Sequence, residues 1–229
     1  MPRYDYVLFD ADNTLFDFDL AERRALRRTL ERRAIPATAE HEALYVAINA
    51  ALWRRFDRGE VSREALVVER FARFLAAVGC PGDPAAVNLE YLTCLGEEGC
   101  LLPGAEELCR ALAPVCTLAI VTNGVALAQR GRFSRSPLRE VIPWLFISEE
   151  VGWQKPQPEF FEAVLSAMSI PDRRRAVVVG DNLISDVGGA LGAGLDAVWY
   201  NPHRLPGDPA VRPTLEAADF DTLRAFLLA

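Results

Sequence analysis

After the apolar run Tyr6-Val7-Leu8-Phe9, no further β-branched run occurs until residues 115–122. The intervening stretch reads as helix: residues 20–34, 40–56, 62–78 and 83–95 each carry apolar side chains at helical spacing. Gly59, Gly79-Cys80-Pro81-Gly82 and Glu98-Gly99 punctuate them. The pattern then changes. Strand-like runs at 115–122, 144–148, 176–179 and 195–200 alternate with helical patterns at 104–112, 126–133, 158–168 and 184–193. Such alternation predicts an α/β fold with a doubly wound, Rossmann-like parallel sheet. A parallel crossover needs only a dozen or so residues, yet Thr122 lies 112 positions beyond Asp10. The excess predicts an inserted α-helical cap domain at residues 16–98. The core is expected from residues 1–15 and 99–229. An insertion placed directly after the first strand would lie over the mouth of a site at that strand's end, where it can exclude water.

With 229 residues, 51% of them apolar, the chain can bury one good-sized core and a smaller second one. Its net charge of −7 argues against a general binder of nucleic-acid polymers or membrane surfaces, but leaves room for a small phosphorylated ligand in a locally positive pocket. The opening apolar stretch is too short for a signal sequence and no run approaches a membrane span, so the expected location is cytoplasmic. The five cysteines form no C-x-x-C pair and have no neighbouring histidine, which points to buried thiols rather than disulfides or zinc. His41 and His203 come with no G-x-S-x-G elbow that would make a Ser-His-Asp hydrolase. Of the 25 basic residues, only Lys155 is lysine. A chain that writes its other cations as arginine has kept one compact ammonium, which suits a tight site needing a point charge. The arginines at 23, 24, 27, 28, 32 and 33 read as a solvated helix face.

Ligands of an open parallel sheet bind outside the carboxyl ends of its strands, and a strand aims residues i and i+2 the same way. Asp10 and Asp12, directly behind the first apolar run, can therefore share a site. Two close carboxylates either share a divalent cation or divide into an ionised group and a protonated general acid. Three more strand ends carry polar groups: Thr122-Asn123-Gly124, which suits a phosphate; Lys155-Pro156; and Asp181 with Asp186, behind Val177-Val178-Val179-Gly180. An EF-hand starting at Asp10 is excluded, because Leu15 and Ala21 stand where it needs Gly and Glu. Gly189, Gly192 and Gly194 read as a helix stop and turn.

The order D-x-D-x-T, T-N-G, K-P, G-D-x-x-x-x-D resembles the haloacid dehalogenase superfamily of phosphotransferases, and the helical insertion resembles its C1 cap. More narrowly, the run from Phe9 to Phe18, Ile147-Ser148-Glu149-Glu150-Val151-Gly152 and Trp199-Tyr200-Asn201-Pro202 are similar to the pyrimidine 5′-nucleotidase branch. The resemblance implies a phosphomonoesterase in which Asp10 forms an aspartyl-phosphate and Asp12 is the acid and base, with Thr14 orienting it. It implies Mg²⁺ on Asp10, the Asp12 backbone carbonyl, Asp181 and Asp186, the last directly or through water. Thr122, Asn123, Lys155 and backbone N–H groups near Gly124 would hold the phosphate. The implied partner is a small phosphorylated metabolite, a nucleoside monophosphate, acted on by a monomer or homodimer. Sugar-phosphate or phosphoglycolate phosphatases and phosphomutases share these motifs, and a non-catalytic phosphate- or metal-binding module is the reading from another class. A 2-haloacid dehalogenase is disfavoured because that branch lacks the second aspartate, present here as Asp12. Trp53 and Phe56, with Arg54 and Arg55, are candidate base readers, although an aromatic pair three apart on a helix also suits a core. The stretch Arg132-Phe133-Ser134-Arg135-Ser136-Pro137 departs from the branch, touches no motif and is expected to bear on local packing or oligomer contacts.

Overall fold

The computed structural model describes residues 3–229. Strand β1 (Tyr6–Phe9) leads into four helices, α1 (Phe18–Arg32), α2 (Ala39–Asp57), α3 (Arg63–Ala77) and α4 (Pro84–Gly96). Each starts on a side chain that accepts a backbone N–H of its first turn: Asp17, Thr38, Ser62 and Asp83 respectively. The remaining elements alternate: α5 (Ala105–Leu112), β2 (Thr117–Thr122), α6 (Ala126–Arg135), β3 (Trp144–Ile147), α7 (Ser148–Val151), α8 (Pro158–Ala167) and β4 (Ala176–Gly180). After a π-helical turn at Leu183–Gly188 come α9 (Gly189–Gly192), β5 (Asp196–Tyr200), β6 (Leu215–Ala217) and α10 (Phe220–Leu228).

The six strands form one parallel sheet in the order β3-β2-β1-β4-β5-β6. This is the expected doubly wound α/β arrangement, and β1 sits at the point where the winding reverses. Side chains alternate as a strand requires: Val7 and Phe9 join the core beneath α5 and α10, while Leu8 joins the core beneath α8 and α9. The insertion is helical throughout, and helices α1–α4 bury a core of their own around Leu26, Tyr45, Phe71, Phe74 and Tyr91. The two connections between cap and core run side by side, with Phe16 bridging Leu101, Asp17 N–H donating to Cys100 O (3.1 Å) and Leu102 N–H donating to Leu15 O (2.9 Å).

Two details differ from the sequence reading. The helix expected at 184–193 is broken into the π-turn and short α9, and the glycines at 189, 192 and 194 fall in α9 and the turn behind it. Strand β6 and helix α10 lie beyond the expected elements. β6 is only three residues, Leu-Glu-Ala, with little strand preference. α10 has a readable start at Asp219, which accepts Thr222 N–H, and a buried pair Leu223 and Leu227 at i, i+4. Of the five cysteines, none is bonded to another; Cys94, Cys109 and Cys116 are buried, and Cys80 and Cys100 are partly so.

Candidate active site

The carboxyl ends of β2, β1 and β4 lie next to each other in the sheet, so the polar groups following them must converge. Asp10, Asp12, Thr122, Asn123, Gly124, Lys155, Asp181 and Asp186 all line one cleft between sheet and cap. At its floor, Lys155 is 1% exposed and its ammonium donates to Asp10 Oδ1 (2.7 Å), Asp186 Oδ1 (2.6 Å) and the Val121 carbonyl (2.7 Å). Three acceptors around a single nitrogen match an ammonium and not a planar guanidinium, which accounts for the lone lysine. Asn123 fixes the lysine's loop by donating to Lys155 O (2.8 Å) and accepting Lys155 N–H (2.9 Å). Its amide therefore ties the lysine's loop to the end of β2 at the edge of the cleft. Thr122 accepts Gly124 N–H (3.0 Å), leaving the hydroxyl hydrogen to donate. A Cβ on Gly124 would lie 2.1 Å from Gln129 Nε2, so glycine here leaves room for Gln129 to pass.

Asp10, Asp181 and Asp186 offer carboxylate oxygens that all lie within 4.8 Å of one another. Three buried or half-buried carboxylates face one ammonium, an excess of negative charge that a dication would neutralise. Burial pushes Asp10 up to about 7, against the pull of Lys155 and with the push of Asp186 and Asp12. Burial also raises Asp181 well above the carboxylate range, and Asp10 and Asp186 add to the rise. Oxygen donors at this spacing, held in an electrically unbalanced pocket, fit a hard cation such as Mg²⁺. Thr14 serves this cluster and not Asp12: its Oγ1 accepts Asp181 N–H (3.1 Å). The expectation that Thr14 orients Asp12 is corrected accordingly.

Asp12 is held from α6. Gln129 donates to Asp12 Oδ2 (2.7 Å), and Arg132, wholly buried, is hydrogen-bonded to Asp12 Oδ1. The stretch starting at Arg132 was expected to touch no motif; its first residue instead grips the second aspartate of D-x-D. The sequence signal was available in outline, since Gln129 and Arg132 are three apart on a helix that begins just behind Thr122-Asn123-Gly124 and so share a face.

The cap closes the other side of a cleft of about 300 Å³ that is continuous with solvent. Phe18, Val46, Ala50, Trp53, Leu92 and Leu95 give it an apolar wall, interrupted by Asp19, Glu22, Asn49, Asp57 and Arg70. The suggested aromatic pair divides: Trp53 lines the cleft, while Phe56 is buried and meets it edge to face at 5.3 Å. Arg54 and Arg55 do not line the cleft; Arg55 pairs with Glu60 and Glu69. Asn49 donates to Glu22 (2.6 Å), and the Arg70 guanidinium donates to Asn49 Oδ1 (3.2 Å) and Asn88 Oδ1 (2.6 Å) while lying over Tyr91 (4.7 Å). Burial pushes Glu22 up to about 7, with Asn49 and Arg70 opposing. Across the cleft mouth, core Asn182 donates to cap Asp57 (2.8 Å) and cap Arg63 donates to core Ser148 (2.5 Å). The arginines of α1 lie on its exposed or half-exposed face, where Arg27 pairs with Glu42, and Arg28 with Glu97 and Glu98.

A parallel sheet that gathers D-x-D, threonine, lysine and two further acids at its switch point beneath a helical cap defines a hydrolase class. Residues 4–194 match the model of the haloacid dehalogenase-like hydrolases, and the chain belongs to that family. It is 33% identical to the pyrimidine 5′-nucleotidase PynA of Streptococcus pneumoniae, over 96% of this chain and 93% of that one. It is 32% identical to the pyrimidine 5′-nucleotidase YjjG of Escherichia coli, over 98% of each. The crystal structure of the HAD-hydrolase YfnB from Bacillus subtilis, bound to magnesium, superposes with a TM-score of 0.94 at 36% identity, covering 99% of this chain and 100% of that one. Among the described residues, no helix is long and apolar enough to cross a membrane.

Proposed function

We propose that the protein is a Mg²⁺-dependent phosphomonoesterase acting through an aspartyl-phosphate on Asp10, with pyrimidine nucleoside 5′-monophosphates as substrates. Asp10 attacks phosphorus, the bond from phosphorus to the leaving oxygen breaks, and that oxygen takes a proton from Asp12. Asp12 then takes a proton from water as the water attacks phosphorus, which releases phosphate and regenerates Asp10. Lys155 sets the Asp10 carboxylate (2.7 Å) and offsets its charge, and the Thr122 hydroxyl donates to the transferring oxygens. Asp10, Asp181, Asp186 and the Asp12 carbonyl would hold the Mg²⁺. When bound, the ion supplies the positive charge that lets a phosphate dianion approach an anionic nucleophile.

The observation that carries the substrate reading is the charge of the cap wall. Asp19, Glu22 and Asp57 face the cleft, and Arg70, its one guanidinium among the described residues, is engaged by Asn49 and Asn88. A leaving group bearing a carboxylate or a second phosphate would meet net negative charge there, which disfavours phosphoglycolate and sugar bisphosphates. A flat, neutral base suits the wall formed by Phe18, Trp53 and the aliphatic residues. The relatives named for pyrimidine 5′-nucleotidase activity support the same reading. A screen of nucleoside and sugar monophosphates with Mg²⁺ tests it. Preference for dUMP, dTMP or UMP is expected. Preference for sugar phosphates overturns the substrate, and no turnover of any ester, p-nitrophenyl phosphate included, overturns the phosphatase in favour of a binding module.

A further inference from the structure

We propose that Arg132, assisted by Gln129, is a positioning residue through which the two cap connections set the orientation of Asp12. The assignment rests on the reading of Asp12 as proton donor and acceptor. Asp12 lies in the segment behind β1 with its side chain 28% exposed, so close packing does not fix the carboxylate. Both of its oxygens are instead taken by α6, Oδ1 by Arg132 and Oδ2 by Gln129.

The same guanidinium reaches both connections. Its Nε donates to the Glu98 carbonyl (3.2 Å) in the second, and its carbon lies 4.8 Å from the Phe16 ring in the first and 5.8 Å from the Phe18 ring where α1 begins. Between Gln129 and Arg132, α6 is itself clamped to the cap: a Cβ on Gly131 would lie 2.6 Å from the Gly96 carbonyl at the end of α4. A displacement of either connection is thereby delivered to the carboxylate that serves the leaving oxygen. Filling the space does not by itself require an arginine. Arg132 is wholly buried, its Nη2 has no partner among the described residues, and an apolar side chain of similar volume would fill the space at lower cost.

As the phosphorus–oxygen bond breaks, its electron pair stays with the leaving oxygen and takes the Asp12 proton. An error in the position of Asp12 therefore costs most when the leaving oxygen is basic. Phenyl and p-nitrophenyl phosphate have nearly the same shape and differ in that basicity, so the cap treats them alike. With Mg²⁺ present, Arg132→Met should lower kcat/KM, which reports the steps up to loss of the leaving oxygen and not the hydrolysis common to both esters, at least about tenfold more on phenyl phosphate than on p-nitrophenyl phosphate. Gln129→Met should shift the ratio the same way by less, and Arg132→Lys, which keeps the charge but cannot fork between Asp12 and Glu98, should recover part of it. If Arg132→Met does not fold, the ratios of these other two variants decide. An equal loss on both esters, or none, makes Arg132 a packing residue and overturns the assignment. Asp12→Asn is the control: if it shows no leaving-group discrimination, the reading of Asp12 fails, and if it discriminates where Arg132→Met does not, the assignment alone fails.

Discussion

The two walls of the cleft are built on different principles. On the sheet side, the leading polar groups are delivered by the ends of parallel strands, so position in the chain fixes position in space: Asp10 behind β1, Thr122 behind β2, Asp181 behind β4. On the cap side, the lining residues come from the faces of α1, α2, α3 and α4, with Glu22, Asn49 and Arg70 meeting from three helices. A strand end leaves little freedom and suits chemistry that must be exact in geometry. A helix face can exchange side chains while keeping its backbone, and suits the choice of leaving group. The comparison predicts that substitutions on the sheet side lower the rate with every ester, whereas those on the cap side change which ester is favoured.

The sharpest way to break that division is at Asp10. Asp10→Asn should abolish turnover of all esters, a loss of at least about a thousandfold, with an unchanged circular dichroism spectrum. Residual activity near wild type would remove Asp10 as nucleophile. Next in size, Lys155→Arg should lower kcat roughly a hundredfold on nucleotide and p-nitrophenyl ester alike, although charge is kept, because a guanidinium cannot present one nitrogen to Asp10, Asp186 and the Val121 carbonyl together. Wild-type kinetics would return the lone lysine to coincidence. On the cap side, Trp53→Ala should raise KM for dUMP by about tenfold and leave p-nitrophenyl phosphate nearly untouched, reflecting roughly 1–2 kcal/mol of lost ring contact. Equal effects on both esters would erase the distinction between the walls.

Two stability measurements sharpen the comparison further. Glu22 is buried and its carboxyl lies near 7 in the folded protein against an ordinary 4.5. The folded state thus holds this proton more tightly than the unfolded state. The cost is absent below pH 4.5 and grows to its full value above about 7, reaching roughly 3 kcal/mol at most. Glu22→Gln should therefore raise the melting temperature at pH 8 and leave it unchanged near pH 4; a shift of the same size at both pH values would contradict the assignment. For the sheet side, Mg²⁺ at a hundredfold excess over Kd should stabilise the fold by about 2.7 kcal/mol and so raise the melting temperature, and chelation should remove that gain. A melting curve indifferent to Mg²⁺ would argue against the cluster of Asp10, Asp181 and Asp186 as its site.

The same difference governs what the sequence reveals. The parallel sheet, the four-helix insertion and the convergence of the acids were legible because strand period and chain order determine them. Lys155 was legible as the one exception to a rule of arginine. Arg132 was legible only as sharing a helix face with Gln129, since its partner Asp12 lies 120 residues earlier and only the crossing of α6 with the cap connections brings them together. Thr14 misleads for a related reason: it is two residues from Asp12 but bonds Asp181, 167 residues away. Trp53 and Phe56 have equivalent helical spacing, and which faces the cleft depends on how α2 is rolled against its neighbours. Strand β6 carries too few residues for any periodicity to show.

The most direct test of the account is the rate at which a quenched reaction traps phosphate on Asp10, with dUMP and with p-nitrophenyl phosphate as donors, in the wild type and in Trp53→Ala. The account predicts label on Asp10 from both donors in the wild type. In Trp53→Ala at subsaturating donor, it predicts labelling from dUMP slowed about tenfold and labelling from p-nitrophenyl phosphate unchanged. Label on another residue, no label at all, or equal slowing from both donors would contradict it.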